Sequence, residues 1–408
     1  MICVKRLIYL APVPLDSPSQ RPHHFVEWAH ARWGCEVWWV QPYPVRLPRP
    51  GDVHRLRRHQ VMPGGGGAVH EALGPPWRSA SWLHVVSLAG VPVEPLPGGR
   101  ALLKVLHAST RRQLLALMAQ EDTWMAIGRP SGLALDLCTA LRGRRVLYDV
   151  MDDMSQFSRG LSQRWMRCAH QAVLGQAEAV WCSADELLQA TRGRTRALPA
   201  LVRNGTVLPD PPRPGASGVG SALHAGAPLM LGYVGTIASW FDWQALRKLA
   251  LALPHAHIDL YGPLEGPRPT ALPANVALRG PVAHAEVFGL MRQWHAGLIP
   301  FVRNTLTQSV DPVKYYEYRA CGLPVLTTLF GEMPHHRNID DGVWNLEDAQ
   351  VLQTLEQRLR LWHGQLAVRQ ARNEPLAPDC LRDAGWAARF NAGVQAVRWA
   401  GGSRVSTA

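Results

Sequence analysis

The stretch Ala296–Thr328, AGLIPFVRNTLTQSVDPVKYYEYRACGLPVLTT, reads as a strand, a polar loop, a helix and a second strand. The apolar run Ala296 to Pro300 ends in a loop carrying Arg303, Asn304, Thr305, Thr307 and Ser309. Pro312 suits a first helical turn, where a missing N–H is harmless, and Asp311 is expected at the N-cap. Gly322 closes the helix, Pro324 forbids its continuation, and Val325 to Thr328 resumes as a strand. Short apolar strands linked by a helix are the βαβ grammar of a parallel sheet, whose ligands collect at strand carboxyl ends and at the helix N-termini that follow. Lys314 and Glu317 stand three apart on one face of this helix. Such a pair suits an anion beside a diol, as a nucleotide offers; it suits a solvated surface salt bridge equally well, and spacing alone leaves both open.

The rest of the chain widens this pattern. Its 408 residues exceed one ordinary core and predict two domains, and a hydrophobic content of 47% supplies both. No apolar run reaches bilayer-spanning length, and Lys5-Arg6 followed by Leu7 to Ala11 reads as a first strand rather than a signal peptide. Seven cysteines (3, 35, 138, 168, 182, 321 and 380) form no C-x-x-C pair, which predicts reduced thiols of a cytoplasmic protein and no zinc site. Residues 1–203 carry 25 Lys+Arg against 15 Asp+Glu, a balance of +10; residues 204–408 carry 18 against 16, a balance of +2. A basic first half suits an anionic membrane surface or a phosphorylated acceptor, and nucleic acid is not expected. Because 39 of the 43 cations are arginine, part of this charge reads as coding bias.

Taken in order, Arg6 to Ala11 is a strand, a proline-rich loop follows, FVEWAHARWG is a helix ended by Gly34, and Glu36 to Val40 is a second strand. Arg21, His23 and His24 stand at that helix start, either as a capped basic loop or as acceptor contacts. Residues 41–100 carry little pattern; Gly64 to Gly67 is a flexible connection, since no strand leads into it and no G-K-[ST] follows. One helix is expected over Ala101 to Ala119, a strand over Thr123 to Ile127 and a helix through Leu141. The strand Arg144 to Val150 runs into MDDMSQF, which sets Asp149, Asp152 and Asp153 at or just past a strand's carboxyl end. A carboxylate there suits a general base on an acceptor hydroxyl, and a helix cap is the plainer role, most natural for Asp153. A helix over Ser155 to Gln176, strands at Ala179 to Cys182 and Ala197 to Val202, and a turn at Arg203-Asn204-Gly205 complete the first domain, residues 1–208. Residues 209–228, rich in Pro, Gly and Ala, read as a linker. The second domain, 229–385, repeats the strand–helix alternation from Met230–Val234, whose strand ends at Gly235-Thr236. A strand at His257 to Tyr261 ends at Gly262-Pro263, and another at Val276 to Leu278 leads to Val282. Residues 386–408 read as a C-terminal helix and tail, with the option of packing back on the first domain.

The segments Pro22-His23-His24, Tyr148 to Asp153, Asn204-Gly205, Gly232 to Gly235 and Pro300 through Val325 together resemble the bacterial glycosyltransferases of the GT-B fold, of the "glycosyl transferases group 1" type. The resemblance implies two Rossmann-like, doubly wound parallel-sheet domains facing a cleft. It implies a sugar-nucleotide donor, UDP- or GDP-linked, as a substrate rather than a cofactor, and no metal. On it, Glu317 holds ribose hydroxyls, Lys314, Arg303 and the helix N-terminus neutralise diphosphate, and Gly262 and Val282 stand where backbone groups receive the base. Gly235 and Thr236 border the donor. The family's second glutamate, a donor-sugar contact, falls at Ser309, with Asp311 two residues on as a substitute. The resulting expectation is a metal-independent transferase passing sugar to a glycan or polyprenyl-diphosphate-linked acceptor, in cell-surface or extracellular polysaccharide assembly at the cytoplasmic face of the membrane. Asp152, then Asp149, are the base candidates should the reaction invert. A nucleotide-sugar 2-epimerase and a degenerate, non-catalytic sugar-binding module are the rivals.

Overall fold

The computed structural model describes residues 4–48, 75–208, 228–266, 269 and 271–397. Gly64 to Gly67, residues 209–227 of the expected linker and the tail from 398 lie outside them. The described chain divides into two compact units, one running to Arg203 and resuming at Phe390, the other spanning Asn204–Arg389.

The first unit holds seven strands: β1 (Arg6–Leu10), β2 (Glu36–Val40), β3 (Leu83–Val86), β4 (Thr123–Ile127), β5 (Val146–Val150), β6 (Ala179–Cys182) and β7 (Ala200–Leu201). They form one sheet in the order β3-β2-β1-β4-β5-β6-β7, every pairing parallel. Continuous apolar runs such as VLYDV fit this arrangement, because a parallel sheet covered by helices on both faces has no wet side. Gly34 ends helix Arg21–Trp33 in the left-handed conformation expected of it. The single helix expected over 101–119 is two, Gly99–Leu106 and Ala108–Met118, broken at His107. His107 leaves the helical conformation and places its Nε2 3.1 Å from the Ala89 carbonyl. The strand read over 197–202 shortens to two residues, and β3 goes unsignalled. The helix read over 155–176 begins instead with a 3-10 turn, Met154–Phe157, before Gly160–Leu174. Phe390 packs T-shaped on Phe25 and stacks on Trp181, whose indole N–H donates to the Gly393 carbonyl.

The second unit contains β8 (Met230–Val234), β9 (His257–Tyr261), β10 (Val276–Gly280), β11 (Ala296–Ile299), β12 (Val325–Thr327) and β13 (Val343–Asn345), in the order β10-β9-β8-β11-β12-β13, again all parallel. In both sheets the order reverses next to the unit's first strand, between β1 and β4 and between β8 and β11. At such a reversal consecutive connections leave on opposite faces and a crevice opens at the strand carboxyl ends. Gly235 and the loop after Ile299 therefore flank the crevice of the second unit. The helix that follows spans Val313–Ala320, with Pro312 rather than Asp311 at its N-cap. No helix among the described residues is long and apolar enough to cross a membrane.

Candidate functional site

Three neighbouring strands of the second sheet end in glycines with positive φ: Gly235 after β8 (142°), Gly262 after β9 (137°) and Gly280 closing β10 (79°). Their backbones interlock, Gly235 N–H donating to Tyr261 O and Gly262 N–H to Gly280 O, both at 2.8 Å. A Cβ on Gly262 would lie 2.1 Å from Gly235 O, so only glycines bring these strand ends so close. A Cβ on Gly235 would meet Lys314 Cε at 2.4 Å and Nζ at 2.6 Å. The lysine side chain thus lies along bare backbone at the sheet's carboxyl edge.

Lys314 reaches this place from the first turn of helix Val313–Ala320. Its Nζ stands 5.4 Å from the ring centre of Tyr233 and 6.0 Å from that of Phe301. Burial lowers its pKa from the ordinary lysine value, opposed by the charge of Glu317 one turn on. A cation held by ring faces near a helix N-terminus suits an anion. Ser309, in the loop before that helix, is buried, and its Oγ has no hydrogen-bond partner among the described residues. A buried hydroxyl without a partner is costly unless a ligand or water completes it.

Asp311 occupies a different place from the one expected. Its carboxylate is fully buried and accepts hydrogen bonds from Asn204 N–H (2.8 Å) and the Tyr316 hydroxyl (3.0 and 3.2 Å), while His336 Nε2 lies 2.9 Å away. Asn204 Nδ2 also donates to the Asp311 carbonyl at 2.6 Å. Burial would raise its pKa, but His336, Asn204 and Tyr316 outweigh that and hold the carboxyl below its usual range. Asp311 therefore fixes the loop that carries Ser309 and the start of the lysine helix; its oxygens face protein rather than a sugar. Arg303, expected to help neutralise diphosphate, is 60% exposed and pairs with Glu347 at 3.0 Å. Thr236 gives its carbonyl to the Tyr233 hydroxyl at 2.8 Å, and Val282 is half-buried in the loop after β10.

In the first unit the three aspartates separate. Asp149 is wholly buried and takes a two-pronged ion pair from Arg21, Nε to Oδ2 at 2.9 Å and Nη2 to Oδ1 at 2.8 Å. Arg21 Nη1 donates onward to the carbonyls of Val202 and Arg203. Both residues are thus bound in the interior: Asp149 is removed from the base candidates and Arg21 from the acceptor contacts. His23 is corrected likewise. It is buried, accepts the Gln20 N–H at Nδ1, stacks on Trp39 and is pushed down to about 4 by burial, the neutral state of a helix-start histidine. His24 is half-buried beside Ser19 and Glu27. Asp153 caps the 3-10 turn, accepting from Ser155 N–H and Oγ. Asp152 stands half-buried two residues beyond β5.

Sequence reasoning missed Glu94, whose buried Oε1 accepts from the Tyr43 hydroxyl (2.8 Å) and from Gly132 N–H (2.6 Å) at the start of helix Gly132–Ala140. It also missed His336. Neither belongs to a motif; only the fold brings them to their partners.

No family model matches the chain. Over 202 residues it is 26% identical to a Bacillus subtilis (strain 168) protein named "Putative teichuronic acid biosynthesis glycosyltransferase TuaH", a match covering 45% of this chain and 50% of the relative, so about half of that protein's length. Among solved structures it is similar to the sucrose-phosphate synthase of Thermosynechococcus elongatus (TM-score 0.57, 15% identity, 95% of this chain and 97% of that one). It is also similar to HepE (Alr3699) of Anabaena in complex with UDP-glucose (TM-score 0.56, 13% identity, 95% and 98%). With two doubly wound parallel-sheet units matched end to end, the chain has the GT-B fold.

Proposed function

We propose that the chain is a glycosyltransferase that takes a sugar from a UDP- or GDP-linked donor bound in the second unit and passes it to a glycan or polyprenyl-diphosphate-linked acceptor served by the first. The observation that carries this reading is Lys314: a half-buried lysine whose ammonium lies against two ring faces and bare glycine backbone, with Glu317 one turn on. A diphosphate bound there meets this positive charge, and charge building on the leaving group as the glycosidic bond breaks is met by Lys314 and the helix N-terminus rather than by a metal. Glu317, one turn along, takes the ribose diol, and the Ser309 hydroxyl takes an oxygen of the sugar. The acceptor oxygen forms its new bond to the sugar carbon and gives its proton to Asp152 or to the donor phosphate. The relative named for teichuronic acid biosynthesis supports a role in cell-surface polysaccharide assembly, with the basic first half against an anionic membrane face on the cytoplasmic side.

Calorimetry with UDP, GDP and UDP-glucose tests the donor site. Lys314→Ala is expected to weaken the preferred nucleotide about 10- to 100-fold, the range for a hydrogen bond to a charged group. A wild-type chain that binds none of them overturns the reading. In a transfer assay, Asp152→Asn costs about 10²-fold or more where Asp152 takes the proton; near-full activity assigns the proton to the donor phosphate.

A further inference from the structure

Helix Gly99–Leu106 is inside out. Leu102, Val105 and Leu106, spaced i, i+3, i+4 and hence on one face, are 48%, 73% and 47% exposed. Arg100 and Lys104, 43% and 50% exposed, lean back onto the buried Asp136 at 2.6 and 3.2 Å. Leu103 alone is inserted into the core. Leu96, in the turn just before the helix, is exposed as well. A helix serving only the packing of its own domain presents the opposite arrangement, with apolar side chains inward. Single exposed leucines are ordinary, but a contiguous group on one short helix marks a surface that meets something apolar.

The charge around it identifies the partner. Between Glu94 and Glu121 the sequence holds Arg100, Lys104, Arg111 and Arg112 and no carboxylate, and Arg112 is exposed on the next helix, Ala108–Met118. Apolar side chains beside the exposed Arg112, and beside Arg100 and Lys104, which stay half-exposed while pairing with the buried Asp136, suit the headgroup boundary of an anionic bilayer, where leucine and valine enter the acyl region and cations meet lipid phosphates. We propose that helix Gly99–Leu106 is a membrane-docking element that inserts Leu102, Val105 and Leu106 into an anionic lipid surface. This rests on the membrane part of the reading above and not on its donor chemistry, so the two fail separately.

The test is co-sedimentation of the full chain with vesicles of phosphatidylcholine alone and of phosphatidylcholine mixed with phosphatidylglycerol, with nucleotide binding and the melting temperature measured on the same preparations. The wild type is expected to bind the mixed vesicles far more strongly than the neutral ones, and less as salt rises. The triple variant Leu102→Ser, Val105→Ser, Leu106→Ser is expected to lose at least about tenfold in vesicle affinity. Its melting temperature and nucleotide affinity should hold, because the three side chains are exposed already. Arg112→Glu should weaken binding to mixed vesicles while leaving the residual neutral-vesicle binding alone. A triple variant that binds mixed vesicles like the wild type overturns the proposal, as does a wild type that binds neither vesicle. A wild-type dimer that the triple variant splits, without vesicle binding, gives the face to a second copy and overturns it too.

Discussion

Lys314 carries the sharpest consequence. Burial lowers its pKa, so the apo protein gives up this proton at lower pH than an exposed lysine would. On the proposed reading, a diphosphate binds the protonated form. Nucleotide affinity is therefore full below the folded-state pKa of Lys314 and falls as pH rises through it; calorimetric titration of UDP across alkaline pH should show the decline in the wild type and its absence in Lys314→Ala. A flat wild-type profile would separate Lys314 from the phosphate. Gly235 tests the same contact from the backbone side. In Gly235→Ala the new methyl collides with Cε and Nζ, so nucleotide affinity should drop by about tenfold or more, together with a strain cost of about 1–3 kcal/mol for the positive φ. Asp149 shows what residue type and position do not reveal. A strand-end aspartate reads as a base, yet this one is the buried partner of Arg21, and nothing in either segment signals a pairing across 128 residues. Asp149→Ala leaves a buried guanidinium without its counter-charge and should cost about 3–5 kcal/mol in unfolding experiments.

Helix Val313–Ala320 was legible because local chemistry fixes both its ends: Pro312 at the start, and Gly322 (φ 79°) with Pro324 at the finish. The strands read correctly are those with unbroken apolar runs, which a parallel sheet demands. Illegible elements lack such signals. β3 is four residues at a sheet edge, β13 is three, and the helix Met333–Ile339, MPHHRNI, shows no apolar periodicity. That last gap hid the true setting of Asp311, since its partner His336 comes from the unsignalled helix. The same short connection holds a second buried pair, in which Arg319 grips Asp340 with Nε and Nη2 at 2.7 and 2.9 Å while the Tyr315 hydroxyl donates at 3.0 Å. These contacts pin the face of the lysine helix opposite Lys314 and Glu317 to the segment before β13. Asp340→Ala should destabilise the second unit by about 3–5 kcal/mol, and at temperatures where it remains folded UDP should still bind. Loss of binding in the fully folded variant would show that the pair also positions Lys314.

Each unit encloses its own apolar cluster, one built from residues between Ile8 and Leu188, the other from residues between Leu229 and Ala384. Two closed cores with separate sheets are expected to unfold as two cooperative transitions. A ligand that binds one native unit stabilises that unit alone, by about 2.7 kcal/mol when present at 100 times its dissociation constant. Calorimetric melting with and without UDP should therefore raise one transition and leave the other in place. Two of the buried pairs identify them: Asp340→Ala should lower the transition that UDP raises, and Asp149→Ala should lower the other. If UDP moves the transition that Asp149→Ala lowers, the nucleotide belongs to the first unit and the assignment of Lys314 fails. If both substitutions and UDP shift one common transition, the two cores unfold together, and the donor then stabilises the whole chain through the unit that holds Lys314.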